Sequence, residues 1–205
     1  MIDELVVNAI GLTGECPRTL LGLCGPPGVG KSTIATQLCA SLGEAGLASV
    51  VVPMDGFHLA NEELRRLGRT DRKGAPDTFD SGGFAALLRR LRSEPHTTHW
   101  APRFDRELDQ SINCAICVEP SHRLVIVEGN YLLLDEPPWT DAHRELAACW
   151  FLALPDDVRV ERLVARHVAH GRTRQQAIAW VQRSDDANAK LIARSRERSH
   201  WTVSV

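Results

Sequence analysis

Apolar residues fall into two kinds of run along the chain. One kind is short and uninterrupted: Thr19–Cys24, Leu47–Pro53, Arg123–Glu128 and Cys149–Leu154. Runs of this length, rich in Leu, Val and Ile, read as strands buried on both faces. The other kind repeats at three and four. Ile34, Ala35, Leu38 and Leu42 share one helix face, as do Phe84, Leu87, Leu88 and Leu91 in a helix over 81–93. Leu5, Val6, Ala9 and Ile10 mark a short leading helix before a turn closed by Pro17. A short helix is expected over 139–148, and a longer one from Pro155 to about His170, stopped by Gly171. A further helical pattern starts at Thr173 and continues or kinks near Asp185 and Asp186. Trp201–Val205 reads as an edge strand.

Only 94–121 resists this treatment. Pro95, His96, His99, Trp100, Pro102 and Pro120 interrupt every period there.

Strands alternating with helices imply an α/β fold with a parallel sheet covered on both faces. Right-handed crossovers then bring the loops that follow the strands to one sheet edge. With 205 residues and no linker or repeat, a single domain over 1–205 is expected.

Composition narrows the partners. The chain is 43% hydrophobic and 24% charged, with a formal net charge of −2, and it lacks a polybasic block or a membrane-length apolar run. We therefore expect no nucleic-acid partner, no membrane and, from an amino terminus without signal-peptide character, a cytoplasmic location. Six cysteines fit that compartment. Cys24, Cys39 and Cys149 sit in apolar runs as small hydrophobes, and the CxxC of Cys114 and Cys117 has no second ligand pair to complete a zinc site.

The chemistry sits at the strand ends. After the first buried strand comes G-x-x-x-x-G-K-S: Gly25, Pro26, Pro27, Gly28, Val29, Gly30, Lys31 and Ser32, running through Thr33 into a helix. Strand, glycine loop and helix form the context of a phosphate-binding loop. Backbone N–H groups curl toward phosphate oxygens, Lys31 adds a charge, and Ser32 is placed to ligate Mg²⁺. The second strand runs into Asp55, followed by Gly56, Phe57 and His58. A carboxylate at that edge can accept a hydroxyl proton or bind Mg²⁺ through water, or else cap a helix. Glycine beside it permits an unusual backbone angle or the close approach of a ligand. Glu128 ends the strand Leu-Val-Ile-Val in the manner of a Walker B acid, with a turn acid as the alternative; Asn130 follows it. Arg159, Arg162 and Arg166 recur at helical spacing, which serves either a solvated face or a lid over phosphates. Arg162 and Arg166 are the two chosen for the lid.

Six segments together resemble the P-loop kinases of small-molecule hydroxyls, namely uridine kinase, phosphoribulokinase and type I pantothenate kinase. They are GPPGVGKS, MDGFHLAN at 54–61, KGAPDTFD at 73–80, APRFDRELD at 101–109, VIVEGNYLLLD at 125–135 and RHVAHGRT at 166–173. The nearest resemblance is to the branch called fructose-transport-system kinases. It implies a P-loop NTPase three-layer sandwich with a parallel central sheet and a helical lid, using ATP and Mg²⁺. It implies that Asp55 is the base, that Lys31 and Ser32 hold triphosphate and metal with Glu128 in support, and that Arg103, Asp105 and Arg106 face the acceptor. Phe57, His58 and Asn130 join Asp55 as candidate acceptor contacts. The Arg103–Arg106 segment departs from the Tyr-Ser-His-type element of pantothenate kinases, so a different acceptor pocket is expected.

The expected reaction is ATP-dependent phosphorylation of a small alcohol: a sugar such as fructose, a nucleoside or a pantothenate-like compound. A regulatory ATP-binding protein without an acceptor is the alternative. A GTPase is disfavoured, since no Asn-Lys-x-Asp occurs. A homodimer is left open.

Overall fold

The computed structural model describes residues 1–205, leaving aside the side chain of Ser184. Its centre is a five-stranded sheet in the order β2-β5-β1-β6-β7, every pair parallel. The strands are β1 (Thr19–Cys24), β2 (Ser49–Pro53), β5 (Leu124–Gly129), β6 (Ala148–Ala153) and β7 (Trp201–Ser204). All six residues of β1 and all six of β5 are buried, as their unbroken apolar runs require. The expected edge strand is β7.

Two cores lie on opposite faces of this sheet. Leu21, Leu23, Leu124 and Ile126 pack with Leu38 and Leu42 of α2 (Lys31–Glu44) and Leu5 of α1 (Ile2–Thr13). Leu20, Cys24, Val125 and Val127 point the other way, as alternation along a strand demands. They meet α4 (Ser81–Ser93) through Phe84, Leu88 and Leu91, and α5 (Trp139–Arg144) through Trp139. Between β2 and α4 lie three 3-10 turns, Met54–Phe57, Thr70–Arg72 and Pro76–Thr78, and the short helix α3 (Asn61–Arg66).

The stretch without a clear period is a hairpin. β3 (His99–Asp105) pairs antiparallel with β4 (Gln110–Val118), with a register shift between Ala101 and Arg103. Pro102 sits at that shift, where a missing N–H does least harm. Only Ala101, Val118 and His99 are buried, so no alternation marks these strands in the sequence.

α6 (Asp156–Ala169), α7 (Arg174–Trp180) and α8 (Asp186–Arg194) follow β6. Thr173 opens α7 with a full capping box shared with Gln176. The expected kink is a π-helical turn, Val181–Asp185. Leu163, Val164, Ala177 and Val181 form a small separate core among these helices. All six cysteines are free; Cys24 and Cys149 are buried, while Cys114 is exposed and Cys117 half-buried on the hairpin.

Candidate active site

The carboxyl edge of the sheet builds the site because three neighbouring strands end there. Leu23 of β1 is in register with Glu128 of β5, and Glu128 with Pro53 of β2. The glycine loop leaves β1 one residue after Cys24, and Asp55 follows Pro53 by two. The sheet therefore brings together three segments far apart in the sequence.

Gly28 and Gly30 adopt left-handed backbone, with φ of 85° and 100°, which the loop's curl requires. At Gly28 a side chain is also excluded by space: a Cβ would stand 2.7 Å from Leu163 Cγ and 2.9 Å from the Arg159 carbonyl. The loop is thus packed directly under α6. Lys31 Nζ lies within its curl and donates to the carbonyls of Gly25 at 2.8 Å and Pro26 at 3.1 Å. Burial lowers the Lys31 pKa, partly offset by the nearby charges of Glu128 and Asp55. The first amides of α2, from Lys31 to Thr33, open toward the same space at the positive end of the helix.

Ser32 Oγ donates to Glu128 Oε1 at 3.0 Å. Glu128 is buried, and its carboxyl pKa is pushed up to about 7 by burial and by the neighbouring Asp55 charge, against the pull of Lys31, Ser32 and Arg106. Two carboxylates, Glu128 and Asp55, and the Ser32 hydroxyl thus stand at the phosphate loop. A divalent cation shared with phosphate oxygens fits that arrangement. Among the described residues no cluster of three His, Cys, Asp or Glu forms an all-protein metal cage. The fit is to a metal shared with a nucleotide.

Asp55 sits in the 3-10 turn, where its backbone carbonyl accepts from His58 N at 3.2 Å and bonds His58 Nδ1 at 2.8 Å. His58 is wedged between Phe79 and Phe104, with ring centroids 4.0 and 4.7 Å away. Burial lowers its pKa, which keeps the ring neutral near pH 7. His58 therefore braces the Asp55 turn. Phe57 packs edge-on against Phe84, centroids 5.1 Å apart, so its ring serves the core. Gly56 answers to the hairpin: a Cβ there would strike the Pro102 carbonyl, while its φ is not among the positive ones. The close approach expected at this glycine is made by backbone.

The lid helices face this edge. Arg162 Nη1 lies 3.8 Å from where a Cβ on Gly30 would stand. The Arg166 pKa is lowered by burial and then by the charge of Arg106, and Asp185 and Asp55 act on it in the opposite sense. Arg166 thus stands among Arg106, Asp55 and Asp185. Arg103 is exposed on β3, with its backbone against Gly56. Asn130 is half-buried, and its carbonyl accepts from Cys24 Sγ at 3.3 Å.

Several residues around the site have partners that spacing alone does not disclose. Arg159, 2% exposed, donates to Asp156 at 2.8 Å, to Asp186 at 3.0 Å and to the Pro27 carbonyl at 3.5 Å. It fastens the phosphate loop to α6 and α8 at once. Asp185 Oδ2 lies 3.0 Å from His167 Nε2, within hydrogen-bond distance. Wider winding of the π-turn delivers the consecutive acids Asp185 and Asp186 to two residues of one helix, His167 and Arg159. The doublet Asp185-Asp186 beside the kink was the visible clue. On the other wall, Tyr131 and Asn188 both donate to the Gly74 carbonyl. Lys73 joins Asn61 to the hairpin tip at Asp109.

Known proteins share this architecture. No protein-family model matches the chain. A protein of Schizosaccharomyces pombe provisionally named a uridine kinase is 36% identical over 201 residues, covering 94% of this chain and 86% of its own. The crystal structure of a provisionally named fructose transport system kinase from Silicibacter is 39% identical, covers 99% of this chain and 98% of its own, and superposes with a TM-score of 0.92. The YFH7 protein of Saccharomyces cerevisiae, 20% identical with a TM-score of 0.86, covers 100% of this chain and 98% of its own and shares the fold.

Proposed function

Since the chain belongs to the P-loop small-molecule kinases, we propose that it moves the γ-phosphoryl group of ATP onto a hydroxyl of a small molecule, with Asp55 as the base. The observation that carries this reading is the register of β1, β5 and β2, which sets Asp55 beside Glu128 and the phosphate loop.

In this reading the amides of 28–33 and Lys31 hold the triphosphate, and Arg162 and Arg166 close over it from α6. Ser32 and the Glu128 carboxylate would hold Mg²⁺, which when bound would offset the negative charge of the triphosphate. The Asp55 carboxylate takes the proton of the acceptor hydroxyl. The alcohol oxygen bonds to the γ-phosphorus as the bridge to the β-phosphate breaks, so ADP leaves and the proton stays with Asp55. Positioning and charge supply most of the rate, and the base a share of about 10²–10⁴-fold. His58 and the Pro102–Gly56 contact keep the carboxylate aimed; Arg103, Arg106 and Asn130 border the acceptor. A location in the cytoplasm agrees with ATP use, and no helix among the described residues is long and apolar enough to cross a membrane.

ADP release measured with Mg²⁺-ATP and a panel of sugars, nucleosides and hydroxy acids tests the reaction. Stimulation by at least one alcohol, with that alcohol recovered as a phosphate ester, is the expected result. Slow ATP hydrolysis indifferent to every alcohol would instead identify a nucleotide-dependent regulator.

A further inference from the structure

Away from the reacting edge, the lid carries a recess of about 420 Å³ that the transfer reaction does not use. Arg172, Gln176, Ala179, Trp180 and Arg183 line it, and neither the phosphate loop nor Asp55 or Glu128 reaches it. Arg172 follows Gly171 in the tight turn after α6, where its N–H donates to the His167 carbonyl at 3.2 Å. Trp180 ends α7, and Arg183 lies in the π-helical turn that follows. Three elements of the lid therefore meet around one indole ring.

The guanidinium carbon of Arg172 lies 4.0 Å from the centre of the Trp180 ring, and that of Arg183 lies 5.0 Å from it. A guanidinium held against an aromatic ring keeps its N–H edge free to donate. Neither arginine forms an ion pair within 4.0 Å among the described residues, because the acids of the π-turn are already engaged. Asp185 stands 3.0 Å from His167, and Asp186 3.0 Å from Arg159. Gln176 Oε1 accepts from the Thr173 N–H at 3.0 Å in the capping box, which leaves its amide nitrogen as the free end. The lining thus offers two guanidinium forks, an amide donor and an indole, and no carboxylate. Donors without a matching acid, in a recess large enough for a small metabolite, select an anion. One fork suffices for a carboxylate, whereas the three terminal oxygens of a phosphate monoester can engage two.

We propose that this recess is a second ligand site, distinct from the transfer centre, which binds the phosphate group of a phosphorylated small molecule between Arg172 and Arg183. Binding there ties the α6–α7 turn to the π-turn. The acids of the π-turn hold His167 and Arg159, and Arg159 bonds the Pro27 carbonyl of the phosphate loop at 3.5 Å. The occupant is thereby linked to the loop that grips the nucleotide.

Calorimetric titration of the full chain tests it, with Mg²⁺ and a saturating non-hydrolysable ATP analogue present so that the phosphate loop is filled. The probes are inorganic phosphate, AMP and fructose 6-phosphate. At least one of them is expected to bind as one further equivalent, and the tightest tells free phosphate from a nucleotide and from a sugar ester. Arg183→Gln, at an exposed position, should weaken that binding by about tenfold or more, and Arg183→Lys should recover part of it. Affinity for the ATP analogue should be unchanged in both variants. No further equivalent with any probe would overturn the proposal, as would acetate binding as tightly as phosphate. So would a lower melting temperature in Arg183→Gln with probe binding intact, which would make the Trp180 stack a structural clamp. Weakened binding of the ATP analogue in Arg183→Gln would also overturn it, by placing Arg183 on the triphosphate.

Discussion

The two halves of the cleft are built in opposite ways. The phosphate half is one continuous segment, strand to loop to helix, whose geometry comes from backbone and two left-handed glycines. The acceptor half is assembled from a 3-10 turn, a hairpin, the loop at Lys73–Gly74, Tyr131 and the π-turn, held by side-chain bonds across long sequence separations. A site made of backbone admits one kind of ligand, a polyphosphate. A site made of side chains can change its ligand by small substitutions, which suits a fold shared by kinases of different names.

The two halves differ in what breaks them. Lys31→Ala should do most damage, lowering kcat/KM by about 10²–10³-fold through lost transition-state charge, measured by ADP release with the best acceptor. An effect under threefold would remove Lys31 from the phosphate site. Arg159→Met comes next. It strands Asp186 and frees the loop from α6, so KM for ATP should rise by about tenfold or more while Arg159→Lys retains part of the affinity. Equal affinity in all three proteins, read by nucleotide titration, would make the Arg159 network a matter of folding alone. Lys73→Met belongs to the acceptor half. It should raise KM for the acceptor about threefold to tenfold and leave ATP binding as it was.

A smaller effect has a pH signature. The Glu128 carboxyl is raised from 4.5 to about 7, chiefly by burial and then by Asp55. Over that interval the folded chain keeps a proton the unfolded chain has lost. The contribution to stability is therefore complete below pH 4.5 and is lost as the pH rises through about 7. Glu128→Gln, which stays neutral, should be more stable than the parent in mildly alkaline buffer, with the gap closing in mildly acidic buffer. Urea denaturation at both conditions reads the difference; a gap that widens on acidification has the wrong sign.

The same contrast explains what the sequence discloses. β1, β5 and α4 are legible because burial on known faces leaves a period, and the phosphate loop because its chemistry is consecutive. The hairpin β3–β4 leaves almost none: it has three buried residues, a proline at its register shift and Cys114 at φ 54°. Arg159 shares its spacing with Arg162 and Arg166, yet only Arg159 is buried in ion pairs: beside Asp156, one turn away, it meets Asp186, 27 residues on, and the distant Pro27 carbonyl. Spacing identifies a helix face but not what that face meets. Gly56 teaches the same lesson, because its small size serves a backbone contact with Pro102.

The junction of the two halves is Asp55, and Asp55→Asn tests it most directly. The substitution keeps the shape and removes the proton acceptor. Turnover with the phosphorylated alcohol should fall by about 10²–10⁴-fold while the Kd for Mg²⁺-ATP stays within about twofold of the parent. Unchanged turnover would contradict the role of Asp55 as base and separate the two halves of the site.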